Sequence, residues 1–233
     1  MRYFWGIDPY YIMLVMPAML FALYAQNRVQ GTFNKYLRIR NIKGYTGAQV
    51  ARQILDSQGL YDIQVEMTKG HLTDHYDPRS KVVRLSESVY SSTSVGAVGV
   101  AAHETGHAVQ HQVSYAPLAF RNSLVPIAGL GSSAAIPLAI LGLIVGFEPL
   151  VYFGILLFTG VVAFQVITLP VEFNASSRAL EILETQGILS REEITPTKKV
   201  LNAAALTYVA SAAVGIANLL RLLMIAGLGR RRD

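Results

Sequence analysis

Two histidines and a glutamate stand at the one spacing that makes half of a zinc-hydrolase site from a single helix: His103-Glu104-Thr105-Gly106-His107. In helical geometry His103 and His107 are one turn apart on the same face, so a nitrogen of each ring reaches one tetrahedral ion at roughly 2.0 to 2.1 Å. Glu104 falls beside the ion rather than on it. There it can accept a proton from the activated water and later deliver it to the departing amine. The chemistry that this spacing predicts is zinc-dependent hydrolysis of peptide bonds. A surface helix whose His and Glu only meet solvent would carry polar flanks. Here Val95 to Ala102 and Ala108-Val109 are small and apolar, as suits a helix packed inside a domain with only its metal face polar.

A catalytic zinc needs a third protein ligand and an open fourth position. The chain has no cysteine, which removes disulfides, a thiol nucleophile and thiolate-ligated zinc. The third ligand is then His111, His75, His71 or an acid. His111 lies another turn along the same helix, and three ligands on a straight helix would span roughly 12 Å, too far to surround one ion. It reads as a surface or interface residue. His71 and His75 read as loop histidines, with a substrate contact open to His75. Among the acids Glu172 stands first, 65 residues after His107 and directly beyond Pro170, where it would start a helix and complement its positive end.

The elements that must position these groups are few. Thr46 caps a helix from Gly47 to about Ser57, and Gly59 ends it. Ile63, Val65 and Met67 alternate with polar neighbours as a strand. Val82, Val83 and Leu85 suggest a second strand after the turn at Asp77-Pro78, one that could hold an extended peptide by main-chain pairing or simply close the sheet. The metal helix follows, beginning near Thr93 to Val95. Further on, Gly187 closes a helix, Ser190 and Glu193 form a capping box, and Thr195-Pro196 starts the segment that enters the last apolar run.

Around this unit the chain is too apolar for an ordinary soluble domain. Of 233 residues 52% are hydrophobic and 15% charged, and mean hydropathy is positive. The expected architecture is mainly α, a multi-span membrane protein carrying a small α+β metalloprotease unit. Transmembrane helices are expected over 9–25, 125–147 and 150–169, and a transmembrane or interfacial helix over 203–225. The protease domain with the metal helix occupies 27–123, and a polar helical segment occupies 171–202. Gly146 to Pro149 makes the middle pair of spans a hairpin. Asp8-Pro9 gives the first span a cap and a proline in its first turn, and a cleaved signal peptide is disfavoured by the lack of a charged leader and of a small-x-small site. Asn218 and Arg221 in the last span require a helix partner or an interface.

Net charge is +5, and its placement says more than its sum. Arg28, Lys35, Arg38, Arg40 and Lys43 follow the first span without an acid between them, whereas Arg2 and Asp8 balance on its other side. Together with Lys198 and Lys199 they place the polar domain in the cytoplasm. Arg230, Arg231 and Arg232 oppose this, since four crossings would put them outside. No aromatic stacking platforms interleave the basic residues, so the partner they suit is an anionic lipid surface and not a nucleic acid.

Resemblance adds to this reading. Val171-Glu172-Phe173-Asn174-Ala175-Ser176 is similar to the Glu-x-x-Ala-Asp segment that supplies the third ligand in HtpX-like membrane gluzincins, with Ser176 in the place of the family's Asp. A still longer stretch resembles the YugP-type family of neutral zinc metallopeptidases. It comprises His75-Tyr76-Asp77-Pro78-Arg79, Val82-Val83-Arg84-Leu85-Ser86, Val98-Gly99-Val100-Ala101-Ala102-His103-Glu104 and the Glu172 segment, in that order. The resemblance implies a bacterial membrane protease, multi-pass in the cell membrane, with His103, His107 and Glu172 on Zn2+ and Glu104 as the base.

Glu172 lies close to the end of the third span and the metal helix shortly before the second, so the zinc is expected near the membrane surface, acting on membrane or membrane-proximal proteins. His75, Tyr76 or Arg178 would stabilise the oxyanion. An intramembrane protease would carry its motif inside a full apolar span and take an Asp ligand from a Leu-Asp-Gly-like segment, which is absent. The remaining alternative is a noncatalytic zinc-binding scaffold, with small-residue patches at Gly129 to Ala135 and Ala210 to Gly215 for a membrane partner or a second copy. Retention of Glu104 argues against it.

Overall fold

The computed structural model describes residues 8–229. Arg2 and the Arg230, Arg231 and Arg232 tail, used above for charge balance, lie outside the described residues. Seven α-helices and three strands are formed there: α1 (Met16–Tyr36, entered through a π-helical turn Tyr11–Val15), α2 (Gly47–Ser57), β1 (Gln64–Thr68), β2 (His75–Asp77), β3 (Val82–Ser86), α3 (Glu87–Tyr90), α4 (Val95–Gln112), α5 (Ala116–Val145), α6 (Glu148–Thr185) and α7 (Arg191–Gly229). The protein is mainly α with a small mixed sheet, and among the described residues four helices are long and apolar enough to cross a membrane: Tyr11–Tyr36, Ala116–Val145, Glu148–Thr185 and Arg191–Gly227. The chain divides into two compact units. One takes 1–26, 119–169 and 207–233, and the other 27–118 and 170–206.

The second unit is built around α4. Ser94 caps it by accepting from the Ala97 amide at 3.1 Å. One side of α4 packs Ala97, Ala101 and Ala108 with Val83, Leu85 and Phe33. Its other side packs Val98 and Ala102 with Val50 and Ile54 of α2, Leu183 of α6 and Leu201 of α7. Alanine and glycine dominate α4 because helices and sheet close on it from several directions. At Gly106, inside the motif, an added Cβ would lie 2.8 Å from the Ala175 carbonyl oxygen, so the absence of a side chain sets how closely α4 and α6 approach. Helix α2 starts with a reciprocal capping box, Thr46 with Gln49. It stops before Gly59, whose φ of +72° suits glycine.

The sheet order is β1-β3-β2, with β1 parallel and β2 antiparallel to β3. The strand over Val82–Ser86 is therefore central. Its main chain is paired on both sides, which excludes the peptide-holding role open to it from sequence. The edge positions belong to β1 and to β2, a three-residue strand too short to announce itself by alternation.

Two proline boundaries read from sequence are absent. Helix α6 runs unbroken through Pro170 and α7 through Pro196, so Glu172 lies in mid-helix and does not complement a helix start. Each proline removes one main-chain bond, and long favourable flanks carry the helix past it. The start of α7 is fixed five residues earlier by Ser190, whose amide donates to Glu193 Oε2 at 2.8 Å.

In the first unit α5 and α6 meet through small residues. An added Cβ on Gly154 would lie 2.7 Å from both the Ala135 oxygen and the Ala139 nitrogen, and around this contact pack Val151, Ile155, Phe158 and Leu222. The Gly129 to Ala135 patch is thus used in part within the protein, although Gly129 itself meets nothing within 4 Å. Arg221 finds the partner its position demanded: its guanidinium donates to Asp8 Oδ2 at 2.6 and 2.7 Å and lies 5.2 Å from the Tyr11 ring centroid. Asp8 also accepts from the Tyr11 amide at 3.0 Å, capping the first helix.

Candidate metal centre

Helix α4 supplies two imidazoles and α6 a carboxylate. His103 and His107 stand one turn apart with ring centroids 4.8 Å apart and planes at 82°. Facing them is Glu172, 4% exposed, with Oε2 3.2 Å from His103 Nε2 and 3.6 Å from His107 Nε2. One ligand atom from each of the three residues lies within 4.8 Å of the others. Two atoms bound at about 2.05 Å to one tetrahedral ion are about 3.3 Å apart, so the spacing suits a zinc-sized ion. All donors are nitrogen or oxygen, as a chain without cysteine requires.

The other ring nitrogens are occupied. Ser176 Oγ is 3.1 Å from His103 Nδ1, and Gln110 Oε1 is 3.0 Å from His107 Nδ1. Such partners fix ring orientation and leave Nε2 of each histidine for a metal. Ser176, standing where the resembling family has Asp, keeps a hydrogen bond to His103. Gln110 in turn donates to the Val171 carbonyl and Asn174 Oδ1, and Arg178 Nε donates to the same Asn174 oxygen at 2.8 Å.

Glu104, between the two histidines in sequence, is 9% exposed. Burial pushes its carboxyl above the usual range, with Glu172 and Asp74 adding to the shift, while His103 and His107 pull it back. Asp74 accepts from the Ser86 amide at 2.7 Å and from its hydroxyl at 3.0 Å, which anchors the loop before β2.

The remaining candidates are placed elsewhere. His111 is outside the three-residue group and lies 3.2 Å from the Tyr76 hydroxyl. His75 is exposed on β2 with Nδ1 2.8 Å from the Thr73 carbonyl. His71 sits edge-on to the Phe33 ring at 5.5 Å. Arg178 has its Nε engaged by Asn174. Gln110, Asn174 and Asp74 went unnoticed in the sequence. Only Gln110 had a usable signal, its place three residues after His107 on the same helical face.

The model of a family described as "Putative neutral zinc metallopeptidase" matches residues 11–227. The chain is 48% identical over 220 residues to "Putative membrane protease YugP" of Bacillus subtilis (strain 168), covering 94% of this chain and 98% of that protein. No solved structure matches significantly.

Proposed function

The chain belongs to the neutral zinc metallopeptidase family, and on that premise we propose that it is a membrane-embedded zinc endopeptidase in which His103, His107 and Glu172 hold the metal and Glu104 is the general base. The observation that carries the reading is the convergence of three ligand atoms from two helices, 69 residues apart in sequence at His103 and Glu172. Held by His103, His107 and Glu172, the zinc of the family's name would supply Lewis acidity and make a water acidic near neutral pH.

The protein's own groups do the rest. Glu104 takes the proton from the attacking water at its carboxylate and returns it to the leaving amine. Ser176 and Gln110 hold the imidazoles so that neither ring turns during turnover. An extended substrate backbone is assigned to β2, the edge strand whose Tyr76 reaches His111 on α4.

Glu172 lies three residues beyond the apolar run that ends at Leu169, about 4.5 Å further along the axis of the same helix. This supports substrates that are membrane or membrane-proximal proteins. The basic residues following the first span support a cytoplasmic catalytic unit. A cysteine at Ser57 would then resist a membrane-impermeant maleimide in intact cells, and labelling there would reverse the orientation.

The activity test compares wild type with Glu104→Gln on a membrane-anchored substrate. Gln keeps the shape but cannot accept the proton, so cleavage should fall by about 10² to 10⁴ with zinc retained. Equal cleavage by both proteins would contradict the mechanism. Zinc binding without cleavage in either would favour the noncatalytic scaffold.

A further inference from the structure

Gln110 is fully buried and its side-chain amide is engaged on all sides. The nitrogen lies 2.8 Å from the Val171 carbonyl oxygen and 2.9 Å from Asn174 Oδ1, and the oxygen lies 3.0 Å from His107 Nδ1. The directions of these bonds follow from the chemistry of the partners. A main-chain carbonyl only accepts, so the Gln110 atom facing Val171 is the NH2 group. An arginine only donates, so the Asn174 atom facing Arg178 Nε at 2.8 Å is the oxygen, and Gln110 must donate to it as well. The atom left to face His107 is the Gln110 oxygen, which only accepts. His107 must therefore carry its proton on Nδ1, and Nε2, 3.6 Å from Glu172 Oε2, is the ring nitrogen with a free lone pair.

We propose that Gln110 is a positioning residue that selects the metal-binding tautomer of His107 and locks it to the helix carrying the third ligand. Its two acceptors, Val171 and Asn174, bracket Glu172 in sequence, so the group that orients one ligand also sets α4 against the turn that bears the other. Arg178 completes the relay by holding Asn174. This inference rests on the assignment of His107 and Glu172 to the metal.

The test sets zinc affinity against stability in two variants. Gln110→Met puts an apolar side chain of similar volume in the buried place and offers His107 no comparable acceptor. Gln110→Glu keeps the acceptor but turns a carboxylate toward two oxygens. Zinc dissociation constants are measured by chelator competition on purified protein, and melting temperatures on the metal-free forms. If Gln110 acts through His107, zinc binding weakens by about 10- to 100-fold in Gln110→Met and less in Gln110→Glu, while the metal-free melting order runs the other way, Met above Glu. A residue that only fills space would give zinc affinities that follow the melting order, or a Gln110→Met protein binding zinc like wild type, and either result overturns the proposal. Should Gln110→Met fail to fold, Gln110→Glu decides: zinc binding within tenfold of wild type supports the proposal, and weaker binding overturns it. His107→Ala serves as the control. Loss of tight zinc there, with Gln110→Met unaffected, removes only the role of Gln110, whereas unchanged zinc in His107→Ala removes the ligand assignment on which it rests.

Discussion

Each of the two units buries charge, and they do so differently. In the apolar unit Asp8 and Arg221 form a closed pair with N···O distances of 2.6 and 2.7 Å and a tyrosine face beside the guanidinium. Opposite charges cancel there, and Asp8 takes its remaining bond from the Tyr11 amide. In the polar unit His103, Glu104, His107 and Glu172 bring two imidazoles and two carboxylates together, and the outer bonds from Ser176 and Gln110 fill only the nitrogens turned away from the centre. A self-satisfied pair fastens one helix to another. A group in which one ligand atom from each of His103, His107 and Glu172 lies within 4.8 Å of the others is a candidate place for a metal ion.

That contrast orders the expected effects of mutation. The largest belong to the cluster. His103→Ala or His107→Ala should abolish tight zinc binding and with it peptide hydrolysis, whereas His111→Ala should keep the metal, as atomic absorption on purified protein would show. Zinc lost in His111→Ala and kept in His103→Ala would erase the distinction.

Next comes the ion pair. Arg221→Leu strands Asp8 and should cost about 3 to 5 kcal/mol of stability in detergent unfolding, while Asp8→Leu with Arg221→Leu should recover most of it. Zinc affinity should follow neither change. A double variant as unstable as the single would mean that the pair contributes more than mutual neutralisation.

Gly106→Ala sharpens the comparison from within the cluster. Its Cβ would press on the Ala175 oxygen at 2.8 Å. Overpacking of this kind costs about 1 to 3 kcal/mol, and here it should also weaken zinc, because α6 carries Glu172 and Ser176. Destabilisation with unchanged zinc affinity would show that the two helices adjust without moving their ligands.

The sequence made the metal helix legible because two histidines and a glutamate at helical spacing have few other uses. The spans were legible because a bilayer demands long apolar runs. Pro170 and Pro196 misled, since a proline boundary is a local preference that long helical flanks overrode. The sheet order was hidden for another reason. β2 is three residues long, and which strand lies in the centre is a property of pairing that periodicity does not encode. The bonds that join Gln110 to Val171 and Asn174 were hidden because these partners lie about 60 residues away in sequence. Arg221 was recognised as needing a partner, and Asp8, 213 residues away, was named only for charge and capping.

The central claim is that Glu172 completes the metal site begun by His103 and His107. Zinc content and zinc affinity of purified wild type and Glu172→Ala test it most directly. The expected result is about one zinc per wild-type chain and strongly weakened binding in Glu172→Ala, with the helical content of the two proteins alike by circular dichroism. Wild-type zinc content and affinity in Glu172→Ala would contradict it and send the search for the third ligand elsewhere.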